Sequence, residues 1–193
     1  MTVEKCDTKT LKFMVLGEAI PLGRPRAVSK GGCIRTYTPQ KSVEEKAAVR
    51  AVAQQAMAEQ YWKMPSQDMP IKVELTIKCE CPKSRAFWIH AAAAKGLIVP
   101  LAGKGDVDNI LKLYLDAMNK VVFPDDKQVF QATVTREYLS QEDLDKGLGP
   151  YVAVKVTGYY LNYGEIKTLC AHTRAKGAGR PKKKKEGETN GNE

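Results

Sequence analysis

Apolar and polar residues alternate along several stretches of the chain. Residues 71–81 (IKVELTIKCEC) keep the alternation almost unbroken, which predicts a strand with one buried face, ended by Pro82. Residues 128–138 and 151–160 (YVAVKVTGYY) repeat the pattern, and residues 12–20 (KFMVLGEAI) read as a first strand bounded by Pro21. Two stretches change to helical spacing. Residues 42–62 are rich in Glu, Lys, Ala and Gln and place Val43, Ala47, Val49, Ala53 and Met57 among them, with Thr38 and Ser42 as usable caps. Residues 106–120 put apolar side chains at 107, 110, 111, 114, 115 and 118, so one helix face is buried. A shorter helix is predicted over 84–95, stopped by Gly96, and residues 21–26 with Lys30, Gly31 and Gly32 read as a loop or hairpin connection. Four or so strands and two main helices make an α+β fold: one domain with a mixed β-sheet. The expected domain spans residues 11–165, after an extension over 1–10. Residues 171–193 collapse into Gly, Lys, Glu and Asn and are expected to be disordered when free.

Composition narrows the class. At 43% hydrophobic and 27% charged residues the chain can bury a core, and it has no apolar run near the roughly 20 residues of a membrane helix. Residues 1–11 lack the apolar centre of a secretory signal, so a cytoplasmic location is the expectation. Five scattered cysteines argue against a disulfide framework, and Cys79-Glu80-Cys81 is too tight for a zinc site, so it reads as alternate strand positions. Trp62 and Trp88 read as packing residues. The net charge is +9, with seven Lys/Arg against three Asp/Glu in residues 171–193 and 24 against 19 in the rest. A polyanion is the expected partner, nucleic acid being the commonest.

The chemistry concentrates in residues 105–118, GDVDNILKLYLDAM. Asp106 takes the N-cap position, and Asp108 and Lys112 are four apart, one turn from each other and off the apolar stripe. Asp125-Asp126 follow the turn at Pro124. Close carboxylates suit a hard divalent cation, which draws oxygen ligands from a few carboxylates, waters and substrate phosphate. Each feature also has an ordinary reading. Asp106 can serve the helix dipole, Asp108–Lys112 can be a surface ion pair worth under about 1 kcal/mol, and Asp125-Asp126 can be turn residues.

The spacing as a whole resembles a known signature. Asp106-x-Asp108-Asn109-x-x-Lys112, Leu115-Asp116-Ala117-Met118-Asn119 and Asp125-Asp126-x-Gln128-Val129 look like the RusA family of Holliday-junction resolvases, and Gly23-Arg24-Pro25-Arg26, Tyr37-Thr38-Pro39 and Pro82-Lys83-Ser84 add to the likeness. It covers roughly residues 13–160. The resemblance implies a small α+β homodimer that uses magnesium, with manganese as its alternative, to cut four-way DNA junctions symmetrically in recombination and repair. It implies catalytic roles for Asp106, Asp108, Lys112 and Asp126, and metal binding by Asp106, Asp108 and the Asp125-Asp126 pair, with Asp126 favoured. Asp116 reads as structural. The chain departs from the family pattern at Gly105, where Pro is frequent, and at Lys120, where Gly is common; both place local loop geometry in doubt.

Arg24, Arg26, Lys30 and Arg35 are the expected phosphate contacts near the branch point. In the tail Gly179-Arg180-Pro181, followed by Lys182 and Lys183, resembles an AT-hook, against the plainer reading of a polybasic segment that adds nonspecific affinity. Two other functions stay open on sequence: a structure-selective DNA-binding protein without catalysis, and a nuclease acting on flaps or forks.

Overall fold

The computed structural model describes residues 7–30, 33–99 and 105–160. Its elements in chain order are β1 (Asp7–Leu16), β2 (Arg26–Lys30), β3 (Cys33–Tyr37), α1 (Gln40–Glu59), β4 (Ile71–Cys79), α2 (Phe87–Ala94), α3 (Val107–Met118), β5 (Val129–Tyr138), α4 (Gln141–Asp145) and β6 (Tyr151–Tyr160). Four strands form one sheet in the order β1-β6-β4-β5, and β2 and β3 form a separate ribbon. β4 pairs antiparallel with β6 and parallel with β5, so the sheet is mixed. These elements lie in one compact unit that ends at Tyr160. Among the described residues no helix is long and apolar enough to cross a membrane. The tail positions Arg180, Lys182 and Lys183 lie outside the described residues.

Period-two patterning puts Leu11, Phe13 and Val15 of β1, Ile71, Val73, Leu75 and Ile77 of β4 and Val152, Val154 and Val156 of β6 on one buried face. α1 packs against β1, α3 against β5, and the two helices pack against each other. Polar contacts fix the seam between them: Lys46 Nζ meets Asp116 Oδ2 at 2.8 Å, and Arg50 Nε donates to the Ala117 carbonyl at 3.1 Å. Asp116 is therefore structural, as expected, and Arg50 satisfies a carbonyl at the negative end of α3.

Several expectations are corrected. β1 starts at Asp7 and stops at Leu16, because its whole length pairs with β6 and Gly17 turns away at φ +114°. Neither Thr38 nor Ser42 caps α1. Pro39 takes that position, and the buried Ser42 instead accepts the Gly23 N–H at 2.9 Å. The buried stripe of α3 is rotated to Ile110, Leu113, Tyr114, Ala117 and Met118, while Val107 is 38% exposed. A helix that packs on a sheet and on a second helix needs a wider apolar face than one contact requires. Trp62 is buried, its indole N–H donating to the Val122 carbonyl at 3.0 Å, but Trp88 is 59% exposed and does not pack in the core. Lys120 adopts φ +61° just after α3. That left-handed position explains why a glycine suits it, since Gly takes this conformation without a Cβ clash.

Residues 139–150 read in sequence as a Gly/Pro turn before the last strand, yet a short helix forms there. Ser140 and Asp143 make a capping box, and Asp143 sits at its centre, buried. Burial works to raise its carboxyl, but the Ser140 N–H and hydroxyl, the Tyr151 hydroxyl and Lys78 outweigh it and bring the pKa down to about 2. A depressed carboxyl contributes stability above its unfolded value, ordinarily 3.8, and that stability drains as pH falls from there towards 2. The shift corresponds to about 2 kcal/mol. We expect Asp143→Asn to lower unfolding free energy by about this amount at pH 7, with the gap between variant and wild type closing near pH 2. Urea titrations at the two pH values check it; a gap that persists in acid contradicts the assignment.

Candidate active site

Three segments meet where α3 begins. Gly105 stands at φ +90°, and a Cβ on it would lie 2.7 Å from Pro21 Cγ, so the chain passes too close to the Pro21 ring for any side chain. Proline, frequent here in the family pattern, cannot take this φ, which accounts for the glycine. The Leu22 N–H donates to the Asn109 carbonyl at 3.1 Å, and Arg136 Nη1 donates to the Gly105 carbonyl at 3.1 Å. The loop over residues 21–23, the first turn of α3 and the far end of β5 are thus fixed to one another. Ser42 extends this anchoring to α1 through Gly23.

Asp106 and Asp108 sit on this anchored turn, and their side chains have little structural work. Asp106 takes the N-cap position but makes no side-chain capping bond; among the described residues its carboxylate meets the Asn109 amide alone, at a long 3.4 Å. Asp108 and Lys112 are both exposed, and among the described residues no ion pair joins them. The surface pair is therefore not realised among the described residues, and Asp106 keeps the helix dipole, without a capping bond, as its ordinary role. The first N–H groups of α3 also point outwards here, giving the turn partial positive charge.

Asp125 behaves differently. It caps a 3₁₀ turn over Asp126–Gln128: its carboxylate accepts the Lys127 N–H at 3.0 Å while Gln128 Oε1 accepts the Asp125 N–H at 3.3 Å. The Lys127 N–H holds this carboxyl below the usual range, aided by the charges of Lys127 and Lys120. The turn reading holds for Asp125 and leaves Asp126 exposed beside it. Gln128 then ties the turn to the Ser66 and Met69 carbonyls, at the start of β4.

The same fastening divides the expected ligand set. Arg136, near the end of β5, reaches Gly105, whereas Asp126 precedes the start of that strand. α3 spans 12 residues between the two ends, a rise of about 18 Å. Asp106 and Asp108 are brought together; Asp126 lies at the opposite end of the sheet. Among the described residues no group of three or more His, Cys, Asp or Glu is placed to hold a metal ion. Two carboxylates at one turn still match magnesium, which is commonly held by one or two carboxylates with waters and phosphate completing the shell.

Of the basic positions, Arg24, Arg26 and Arg35 are exposed, and the Lys30 side chain lies outside the described residues. Sequence reasoning missed Arg136. The available signal was its place in the alternation: Val134, Arg136 and Tyr138 share the face that meets the helices, where an arginine calls for a specific acceptor.

Comparison with known proteins accords with this geometry. The protein named Uncharacterized protein YqaN from Bacillus subtilis (strain 168) is 34% identical over 130 residues, which cover 66% of this chain and 87% of that protein. The family model for Endodeoxyribonuclease RusA matches residues 17–156, a span that holds the basic loop, the first turn of α3, the Asp125-Asp126 turn and Arg136. The chain belongs to the RusA family of endodeoxyribonucleases, hydrolases of phosphodiester bonds in DNA.

Proposed function

We propose that the protein is a magnesium-dependent endonuclease that resolves four-way DNA junctions by paired symmetric cuts, acting in the cytoplasm as a homodimer in recombination and repair. One observation carries the catalytic part: the two carboxylates at the start of α3 are held on a rigidly anchored turn, yet Asp106 makes no side-chain cap and neither carboxylate forms an ion pair among the described residues. Fixed, exposed carboxylates that pair with no cation among the described residues suit ligation of a metal ion at a phosphate.

In this reading Asp106 and Asp108 hold the metal, for which manganese is an alternative to magnesium. When bound, the ion would supply positive charge at the scissile phosphate and lower the pKa of a water, so that the water could lose a proton and act as the nucleophile. Water adds to phosphorus in line with the P–O bond that breaks. Lys112, one turn from Asp108, offsets the charge that grows on the phosphoryl oxygens. Arg24, Arg26, Lys30 and Arg35 position the DNA backbone, and the tail with Arg180, Lys182 and Lys183 adds affinity through counterion release. Asp126 is too far along the sheet to join Asp106 in the same chain, and this separation supports a dimer in which Asp126 of each subunit serves the other's site. A four-way junction has two-fold symmetry, and a two-fold dimer presents two sites to it.

The test is a substrate panel of four-way junction, flap, fork and linear duplex, each with magnesium and with chelator, alongside sedimentation of the protein. We expect paired, symmetric, magnesium-dependent cuts in the junction from a species of twice the monomer mass. Binding without any cut product would identify a non-catalytic DNA-binding protein instead, and faster cleavage of flaps or forks would reassign the substrate.

A further inference from the structure

Residues 19–43 contain no Asp or Glu and five basic residues: Arg24, Arg26, Lys30, Arg35 and Lys41. Inside this stretch β2 and β3 form a two-stranded ribbon that joins neither edge of the four-stranded sheet. Residues 26–29 and 33–37 are all exposed, including Val28 at 47%, Ile34 at 75% and Tyr37 at 47%. A lone hairpin with no core face is marginal in water, and its open strand edges invite pairing with other chains. No packing among the described residues accounts for it.

The register gives the ribbon two unlike faces. Residues directly opposite in an antiparallel pair share a face. Arg26 lies opposite Tyr37 and Val28 opposite Arg35, which places these four on one side; Ala27 opposite Thr36 and Ser29 opposite Ile34 form the other. The side with both arginines is basic, and the other has no charge.

We propose that this ribbon is a DNA-docking element, which enters a groove of the arm beside the cut site with its Arg26–Val28–Arg35–Tyr37 face against the nucleic acid. The inference rests on the reading of the protein as a DNA endonuclease and adds the element that grips the arm. Three observations favour DNA as the occupant. The stretch is basic without a single acidic residue, so it complements a phosphate backbone and offers no like charge to repel it. A two-stranded ribbon fits the major groove, and five residues extend about 16 Å, roughly half a turn of duplex. The base of the ribbon is fastened next to the carboxylates, since Gly23 bonds to Ser42 and Leu22 to Asn109 in the first turn of α3. An arm held by the ribbon therefore lies beside Asp106 and Asp108.

The test measures binding of the full chain to a synthetic four-way junction and to linear duplex over a range of salt, in chelator so that no cleavage intervenes. The double variant Arg26→Gln, Arg35→Gln should flatten the slope of log affinity against log salt by about 2, at roughly 0.9 for each phosphate no longer neutralised, and weaken binding about tenfold or more. The opposite-face variant Ser29→Ala, Thr36→Ala should stay within about twofold of wild type with the slope unchanged. An unchanged slope in the arginine variant, or an equal weakening from the opposite face, overturns the proposal. Should the wild-type chain bind neither DNA, the endonuclease reading falls as well; wild-type binding that ignores the ribbon removes the ribbon alone.

Discussion

Asp108→Asn should lose junction cleavage by on the order of a thousandfold, about 4 kcal/mol of barrier, while binding the junction at least as tightly as wild type. The side chain is exposed and has no ion-pair partner among the described residues, so its amide costs the fold nothing. Removing a negative charge from the turn proposed to face DNA also lessens repulsion of phosphate. What the substitution removes is an anionic oxygen for a hard cation. Asp106→Asn should behave alike, because asparagine serves an N-cap position as well as aspartate does. Asp116→Asn is the contrast. It loses the 2.8 Å pair to Lys46, so it should cost stability by about 1 kcal/mol and leave the cleavage rate near wild type. Single-turnover cleavage, gel-shift binding and thermal unfolding on the three variants separate these outcomes. Wild-type cleavage by Asp108→Asn would remove the carboxylate pair from the chemistry.

How far each feature is legible in the sequence depends on the kind of information it needs. β6 is legible to its observed limits, because buried valines at 152, 154 and 156 alternate without interruption. α3 is legible from its spacing, but the direction of its buried face needs the position of α1, which no local pattern contains. The short α4 escapes notice although Ser140 and Asp143 stand at capping-box spacing, since five residues carry too little periodicity to register. The turn that carries Asp106 and Asp108 is legible as a motif, and the structure adds why it is rigid: Gly105 against Pro21, Leu22 on Asn109 and Arg136 on Gly105 are contacts between segments far apart in sequence. In sequence the ribbon is visible only as a basic loop. Its two faces depend on the pairing register, which the residues around Gly31 and Gly32 leave undetermined.

The grouping of Asp126 with Asp106 and Asp108 is the reading most exposed to topology. In sequence the three share one short signature; in the fold a helix of 12 residues separates them. If Asp126 completes the site of the partner subunit, two inactive variants should repair each other. Take Asp108→Asn and Asp126→Asn, each expected to lose cleavage alone, and allow their subunits to exchange. In a mixed dimer one site draws Asp106 and Asp108 from the Asp126→Asn subunit and Asp126 from the Asp108→Asn subunit, so it is intact. The other site lacks both residues. Random exchange makes about half the dimers mixed, so about a quarter of the wild-type number of sites should return. The product should be a single nick in one strand and not a resolved junction, because each mixed dimer keeps one working site. The increase over either variant alone should be on the order of a hundredfold. A mixture that stays inactive, once exchange is verified with differently tagged subunits, would place all three carboxylates in one chain's site or remove Asp126 from it. Full activity of Asp126→Asn by itself would decide for the second of these.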